Sequence, residues 1–136
     1  MSRENVEVVQ RANEVFNRDP GGEEALSLLD SELEWEENSP FYPGLEPLYR
    51  GHDGYLRWVR AAVIDPFEKV EAITDVVEDL GDEVLTCTRL RGVGRGSGVE
   101  VEMLIFSLYL VRDHKIARRR IYHTRDEALK AAGLSE

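Results

Sequence analysis

GSGVEVEMLIFSLYLVRDHKIARRRIYH, residues 96–123, is the stretch that decides the fold. It reads as two long strands, residues 99–111 and 116–123, on either side of the tight turn Arg112-Asp113-His114-Lys115. Asp-His takes the place of the more usual Asp-Gly, and histidine tolerates positive φ better than most residues, which makes His114 a turn residue. The first strand opens with alternation, Val99, Val101 and Met103 against Glu100 and Glu102. From Leu104 to Val111 both faces become mainly apolar. Such a strand is covered on one face at its start and on both further along, so the sheet bends or part of it enters an oligomer interface. The second strand carries Arg118, Arg119, Arg120 and His123 where core residues are expected. Charge in that place suggests a sheet wrapped around a polar-lined cavity.

Strand parity divides this charge. Arg119 and His123 share a face with Ala117 and Ile121, whereas Arg118, Arg120 and Tyr122 lie on the other. Thr124-Arg125-Asp126-Glu127 then forms a capping box for a short final helix, which Gly133 stops. Gly92, Gly94, Gly96 and Gly98 alternate just before the long strands. A phosphate-binding loop would need a helix after its glycines; a strand follows here, so they are read as a flexible hairpin connection.

Working back along the chain, residues 3–17 form a first helix with Val6, Val9 and Phe16 on one stripe and Asn13 within it. Asp19-Pro20-Gly21-Gly22 stops it, and a short helix spans 23–29. Residues 32–37 alternate as a half-buried strand, with Glu37 sharing the parity of Leu33 and Trp35. NSPFYPGLEPLYRG, residues 38–51, is a proline-rich loop long enough to be a lid or rim. A third helix over 52–64 presents Tyr55, Leu56, Trp58, Val59, Ala62 and Val63, and Pro66 ends it. His52 is read as its surface start. Strands follow over 67–78 and 84–93, joined by a Gly81-Asp82 turn. The order is α-α-β-α-β-β-β-β, an α+β pattern with helices on one face of a curved, mostly antiparallel sheet, in one domain over residues 1–136.

Composition narrows the function. The chain has 136 residues, a formal net charge of −10 and a pI near 4.8. That balance argues against nucleic acid and against anionic membrane surfaces as partners. The lone Cys87 forms no intrachain disulfide and is read as a small buried thiol. The first residues carry no apolar signal segment and no run is long enough to span a bilayer, which gives a cytoplasmic expectation. His52, His114 and His123 form no metal-ligating pair, so no metal is expected.

The sharper candidates are Glu37, Arg119 and His123. If the Ile121 face points inward, a carboxylate, a guanidinium and an imidazole converge, able to polarise a carbonyl and move a proton. The alternative is a buried Glu37–Arg119 ion pair kept for structure. Asn13, Trp35, Trp58, Met103 and Phe106 are the substrate-binding candidates, the last four as apolar walls of a closed pocket of a few hundred Å3.

ENVEVVQRANEVFNR, EALSLLDSELEWEE, YRGHDGYLRWV and VRDHKIARRRIYHTRDEALKAAGL, in that order and spacing, resemble the SnoaL-like proteins of the nuclear transport factor two-like superfamily, over nearly the whole chain. The resemblance implies a cone-shaped α+β barrel, three helices packed on the sheet, an internal pocket, and homodimers paired through the sheet. It also implies a small apolar or carbonyl-containing ligand and cofactor-free isomerase, cyclase or hydratase chemistry; non-catalytic ligand-binding or interaction modules share the fold. Against ketosteroid isomerase, the worked case of a carboxylate base with a Tyr and a protonated Asp as oxyanion hole, the base falls on Glu37, or on Glu36 if the register slips by one. The Tyr donor falls near Ala12 or Asn13 and the acidic donor near Phe106, so that oxyanion hole is absent. Two apolar pocket positions fall near Arg119 and His123, making that wall more polar. The aspartate common in relatives after the last strand is Thr124 here.

Overall fold

The computed structural model describes residues 2–38 and 44–133. Helix α1 spans Ser2–Arg18 and α2 Glu23–Ser27; β1 is Leu29–Glu37 and β2 Leu48–Arg50; α3 is Gly51–Val59, prolonged by a π-helical turn at Arg60–Ile64. Strands β3 (Phe67–Asp79), β4 (Glu83–Gly94), β5 (Glu100–Arg112) and β6 (Lys115–Tyr122) precede α4 (Arg125–Ala131). The six strands form one curved, open sheet in the order β2-β1-β6-β5-β4-β3. Among the described residues only the β1–β6 pair is parallel.

The α+β expectation holds, with three differences. Residues 48–50 belong to a short edge strand rather than to the loop; residues 39–43 of that loop lie outside the described residues. The third helix widens near its end, where Asp65 N–H bonds back to Arg60 C=O at 2.8 Å. This five-residue spacing is a π turn, a feature frequent at functional sites. Helices also lie on both faces of the sheet. Leu85 and Leu108 point away from the main core and bury against Ala128 of α4. That contact explains the doubly apolar half of β5, for which a bend or an oligomer interface had been the expectation.

The hairpin turn has Asp113 and His114 at φ 53° and 64°, as the turn reading requires. The capping box also forms: Thr124 Oγ1 accepts from Glu127 N–H at 3.1 Å, and Thr124 N–H donates to Glu127 Oε1 at 3.2 Å. His52 is half-buried rather than on the surface; its Nε2 meets Leu29 O at 2.9 Å and ties α3 to β1. Cys87 is only half-buried, on the α4 side of the sheet.

The main core lies between α1, α3 and the inner face of the sheet. Val9, Ala12, Leu33, Trp35, Tyr55 and Tyr109 are all fully buried there. Cross-strand register aligns the inner row: Trp35 beside Arg119, Arg119 beside Tyr109, Ile121 beside Glu37 and Ser107. One arginine of the triple run is thus placed in the core, and the other two are turned outward.

Candidate functional site

The inner row ends at a cavity of about 140 Å3 between α1, α3, its π turn and strands β3 to β6. Its walls are largely apolar, from Phe16, Trp58, Phe67, Leu90, Met103 and Ile105 among others. Asn13, Asn17, Thr74, Thr88, Glu37 and Arg119 supply polar groups. The volume matches one benzene-sized ring rather than the few hundred Å3 expected.

Glu37 sits at the end of β1 with 6% of its surface exposed. Its Oε2 accepts from Trp58 Nε1–H at 2.7 Å, while Oε1 is sealed from solvent and meets no hydrogen-bond donor among the described residues. Burial pushes its pKa up; the Trp58 bond and the Arg119 charge counter that only in part. A desolvated carboxyl with one hydrogen bond favours the neutral form.

Arg119 is also 6% exposed. Its Nε donates to Ser107 Oγ at 3.0 Å. The guanidinium lies 4.8 Å from the Trp35 ring centroid, 5.2 Å from Tyr109 and 5.6 Å from Trp58. Such cation–π contacts hold a desolvated guanidinium without an anion. No Arg119 nitrogen comes within 4.0 Å of a Glu37 oxygen, so the structural ion pair does not form. Its two Nη atoms have no acceptor among the described residues and remain accessible.

Asn13 faces the cavity but is committed. Its Nδ2 donates to Val9 O at 2.9 Å, and its Oδ1 accepts from Tyr109 OH at 3.2 Å and Thr74 Oγ1 at 3.3 Å. Thr74 and Thr88 hydroxyls then meet at 2.7 Å. Tyr55 OH donates to Pro20 O at 2.7 Å, and burial raises its pKa.

The structure brings together Glu37, Arg119, Asn13, Trp58 and Met103 and separates the other candidates. Phe106 is a correction: it lies on the opposite face of β5, packed with Leu108 and Tyr122 under α4. Its neighbour Ile105 lines the cavity instead. Trp35 is a second correction. It is fully buried one layer behind the wall, where it supports Arg119. His123 is a third: β6 ends at Tyr122, and His123 is not among the residues lining the cavity. Burial lowers its pKa, partly offset by Glu127. Glu36 faces the outer side with Tyr122 and Arg120, which removes the slipped register.

Sequence reasoning missed Thr74, Thr88 and Phe67 as wall residues. The alternation Thr86-Cys87-Thr88 carried the signal, since two hydroxyls share the inner parity of β4. Gly92, read as hairpin flexibility, lies within β4 beneath Phe67; a Cβ there would come within 2.6 Å of the ring. Among the described residues no cluster of His, Cys, Asp or Glu is arranged to hold a metal, and no helix is long and apolar enough to cross a membrane.

Comparison with protein-family models and with curated proteins gives no match. Solved structures do match. An NTF2-like protein of unknown function from Burkholderia pseudomallei superposes with a TM-score of 0.77 at 16% identity, covering 93% of this chain and 95% of that one. TerC, co-crystallised with polyporic acid, gives 0.75 at 19% identity over 96% and 97%. A SnoaL-like protein from Jannaschia sp. CCS1 gives 0.69 at 19% over 98% and 94%. The chain has the NTF2-like fold that SnoaL-like proteins share.

Proposed function

We propose that the cavity binds a small, largely apolar carbonyl compound, and that Glu37 and Arg119 move a proton on it without a cofactor. The observation carrying this reading is that a buried carboxyl and a buried guanidinium share one cavity without forming an ion pair. A carboxyl and a guanidinium within an ion pair would satisfy each other; held apart, each retains capacity for a ligand. In the proton transfer, the bond between hydrogen and the carbon next to the carbonyl breaks and the proton passes to the Glu37 carboxylate. The electron pair moves onto the carbonyl oxygen, where the Arg119 Nη–H groups stabilise the enolate. Return of the proton to a second carbon gives isomerisation. Two structures of this fold are complexes with small organic molecules: TerC with polyporic acid, and a ketosteroid isomerase-like protein from Catenulispora acidiphila with trimethylamine. They support a small-molecule ligand for this chain.

The test is exchange of ketone α-protons into D2O, followed by NMR. Wild-type protein should accelerate it on a one-ring ketone, and Glu37→Gln should lose on the order of 100-fold or more, the usual contribution of a positioned base. Equal rates for the two proteins would remove Glu37 from the chemistry. A second reading, a ligand-binding module without turnover, draws support from the socket that three aromatic rings and Ser107 build around Arg119. Ligand-induced stabilisation with no exchange is its expected result. We also propose a homodimer paired through the outer face of the sheet, where Ile73 and Leu104 are exposed.

A further inference from the structure

We propose that Thr88 accepts a hydrogen bond from a ligand hydroxyl, so that the cavity selects a one-ring ketone carrying a hydroxyl on the side of the ring away from its carbonyl. This rests on the reading of the cavity as a small-ketone site and narrows the substrate class; it does not depend on which group moves the proton.

The Thr74–Thr88 pair is a polar spot on an apolar wall. Val70 and Ala72 on β3, Leu90 on β4, and Met103 and Ile105 on β5 line the same side of the cavity. The two threonines are direct cross-strand partners, and their hydroxyls meet at 2.7 Å. Thr88 is 5% exposed, and its partner on the other neighbouring strand is Ile105, which brings no polar side chain.

Protons fix the polarity of the pair. Asn13 Nδ2 donates to Val9 O at 2.9 Å, which leaves Oδ1 to face the hydroxyls. An amide oxygen only accepts. It takes the Tyr109 hydroxyl at 3.2 Å and the Thr74 hydroxyl at 3.3 Å. A threonine has a single O–H, and Thr74 has committed its own to Asn13. The 2.7 Å bond is therefore Thr88 O–H donating to Thr74 Oγ1. Each bond in such a chain polarises the next. Thr88 Oγ1 is left with lone pairs and no proton, and no donor reaches it among the described residues. A fixed acceptor in an apolar wall pairs with a ligand donor, whereas a ligand acceptor there would be desolvated without a partner.

Sheet register sets where on the ligand that donor lies. Glu37 is on β1 and Thr88 on β4, three strands apart in the order β1-β6-β5-β4. At the usual spacing between strands, about 14 Å separates their backbones along the sheet. Both residues line the one cavity. A ring held between them turns its carbonyl end to Glu37 and Arg119 and its far side to Thr88. The hydroxyl belongs on that far side.

The experiment is an NMR titration with three neutral probes. They are 4-hydroxycyclohexanone, its near-isostere 4-methylcyclohexanone, and 1,4-cyclohexanedione, whose second carbonyl only accepts. Wild-type protein should bind the hydroxyketone about fivefold more tightly than either of the others, the net worth of one neutral hydrogen bond. Thr88→Val should reverse the order of the hydroxyl and methyl probes, and Thr88→Ser should keep it. Thr74→Val frees the Thr88 proton, so the dione should gain on the hydroxyketone, a change that a merely structural threonine pair would not produce. If the variants fail to fold, the comparison of probes on wild-type protein still decides. Equal or weaker binding of the hydroxyketone by wild type overturns the assignment, as does a hydroxyl preference that survives Thr88→Val. Exchange of ketone α-protons judges the wider reading separately. Exchange without a hydroxyl preference removes the role of Thr88 alone, and a hydroxyl preference without exchange supports Thr88 and removes only the catalysis. Absence of binding by all three probes overturns both.

Discussion

At the scale of single residues, Glu37 and Arg119 share a strand layer but differ in what the fold does for them. Glu37 has a raised pKa, so the folded state holds its proton at pH values where the unfolded chain has released it. The unfolded state then binds fewer protons, and stability falls as pH rises from near 4.5, its ordinary value, through the folded pKa. Glu37→Gln removes that slope. Its melting temperature should exceed that of wild type at pH 8 and approach it at pH 4, in parallel thermal melts. His123 has the opposite sign: its pKa is lowered, so its contribution is complete above the ordinary 6.5 and lost as pH falls below it. Arg119→Met replaces a buried cation by an apolar chain of similar length within an aromatic box. Stability should stay level or rise by about 1–4 kcal/mol, the range seen when buried ionic groups are replaced by well-packed apolar ones, while ligand binding is lost. Urea titration beside ligand titration separates the two effects. Parity alone singled out Arg119 from the triple run, and it put Glu37 on the same layer. It could not place His123, because parity has meaning only while the strand continues, and β6 stops one residue short.

At the scale of elements, the capping box and the tight turn were legible because each depends on neighbours in sequence. Helix ends and strand starts were less so: β1 begins at Leu29, three residues before its alternation becomes visible. The register of β5 was harder still. Residues 104–111 are apolar on both faces, so no pattern tells inside from outside, and Phe106 was assigned to the wrong side. The answer came from α4, whose Ala128 and Leu129 cover the outer face. Loss of its cap should loosen that cover. Thr124→Ala removes the acceptor for Glu127 N–H and should cost about 1 kcal/mol, typical of a lost N-cap. Hydrogen exchange should show the change at the α4 amides ahead of those of β3. Gly92→Ala acts on the other side of the sheet. Its Cβ would meet Phe67 Cδ1 at 2.6 Å, so the ring must shift. Overpacking of this kind costs roughly 1–3 kcal/mol. Because Phe67 lines the cavity, ligand affinity should fall together with the urea midpoint.

At the scale of the whole molecule, the curved sheet has two unlike outer regions. One half is covered by α4 and braced where Arg120 meets Glu83 at 2.9 Å and Arg118 meets it at 3.3 Å. Among the described residues no helix packs on the outer face of the other half, across β3, β4 and β5. Ile73, Arg89 and Leu104 fall in one cross-strand row, and Ile73 and Leu104 are 54% and 46% exposed. Apolar side chains placed side by side on an open sheet mark an interaction surface more than isolated ones do. The edge strand β3 adds unpaired backbone groups along the same region, which a protein must cover or disrupt. A second copy pairing through this face would bury both. Size-exclusion chromatography with light scattering should therefore give twice the 15.5 kDa chain mass. Leu104→Glu with Ile73→Glu should shift the protein to that single mass while the cavity on the opposite face still binds its ligand. A wild-type protein that elutes as a monomer at high micromolar concentration would show that the exposed row has another purpose.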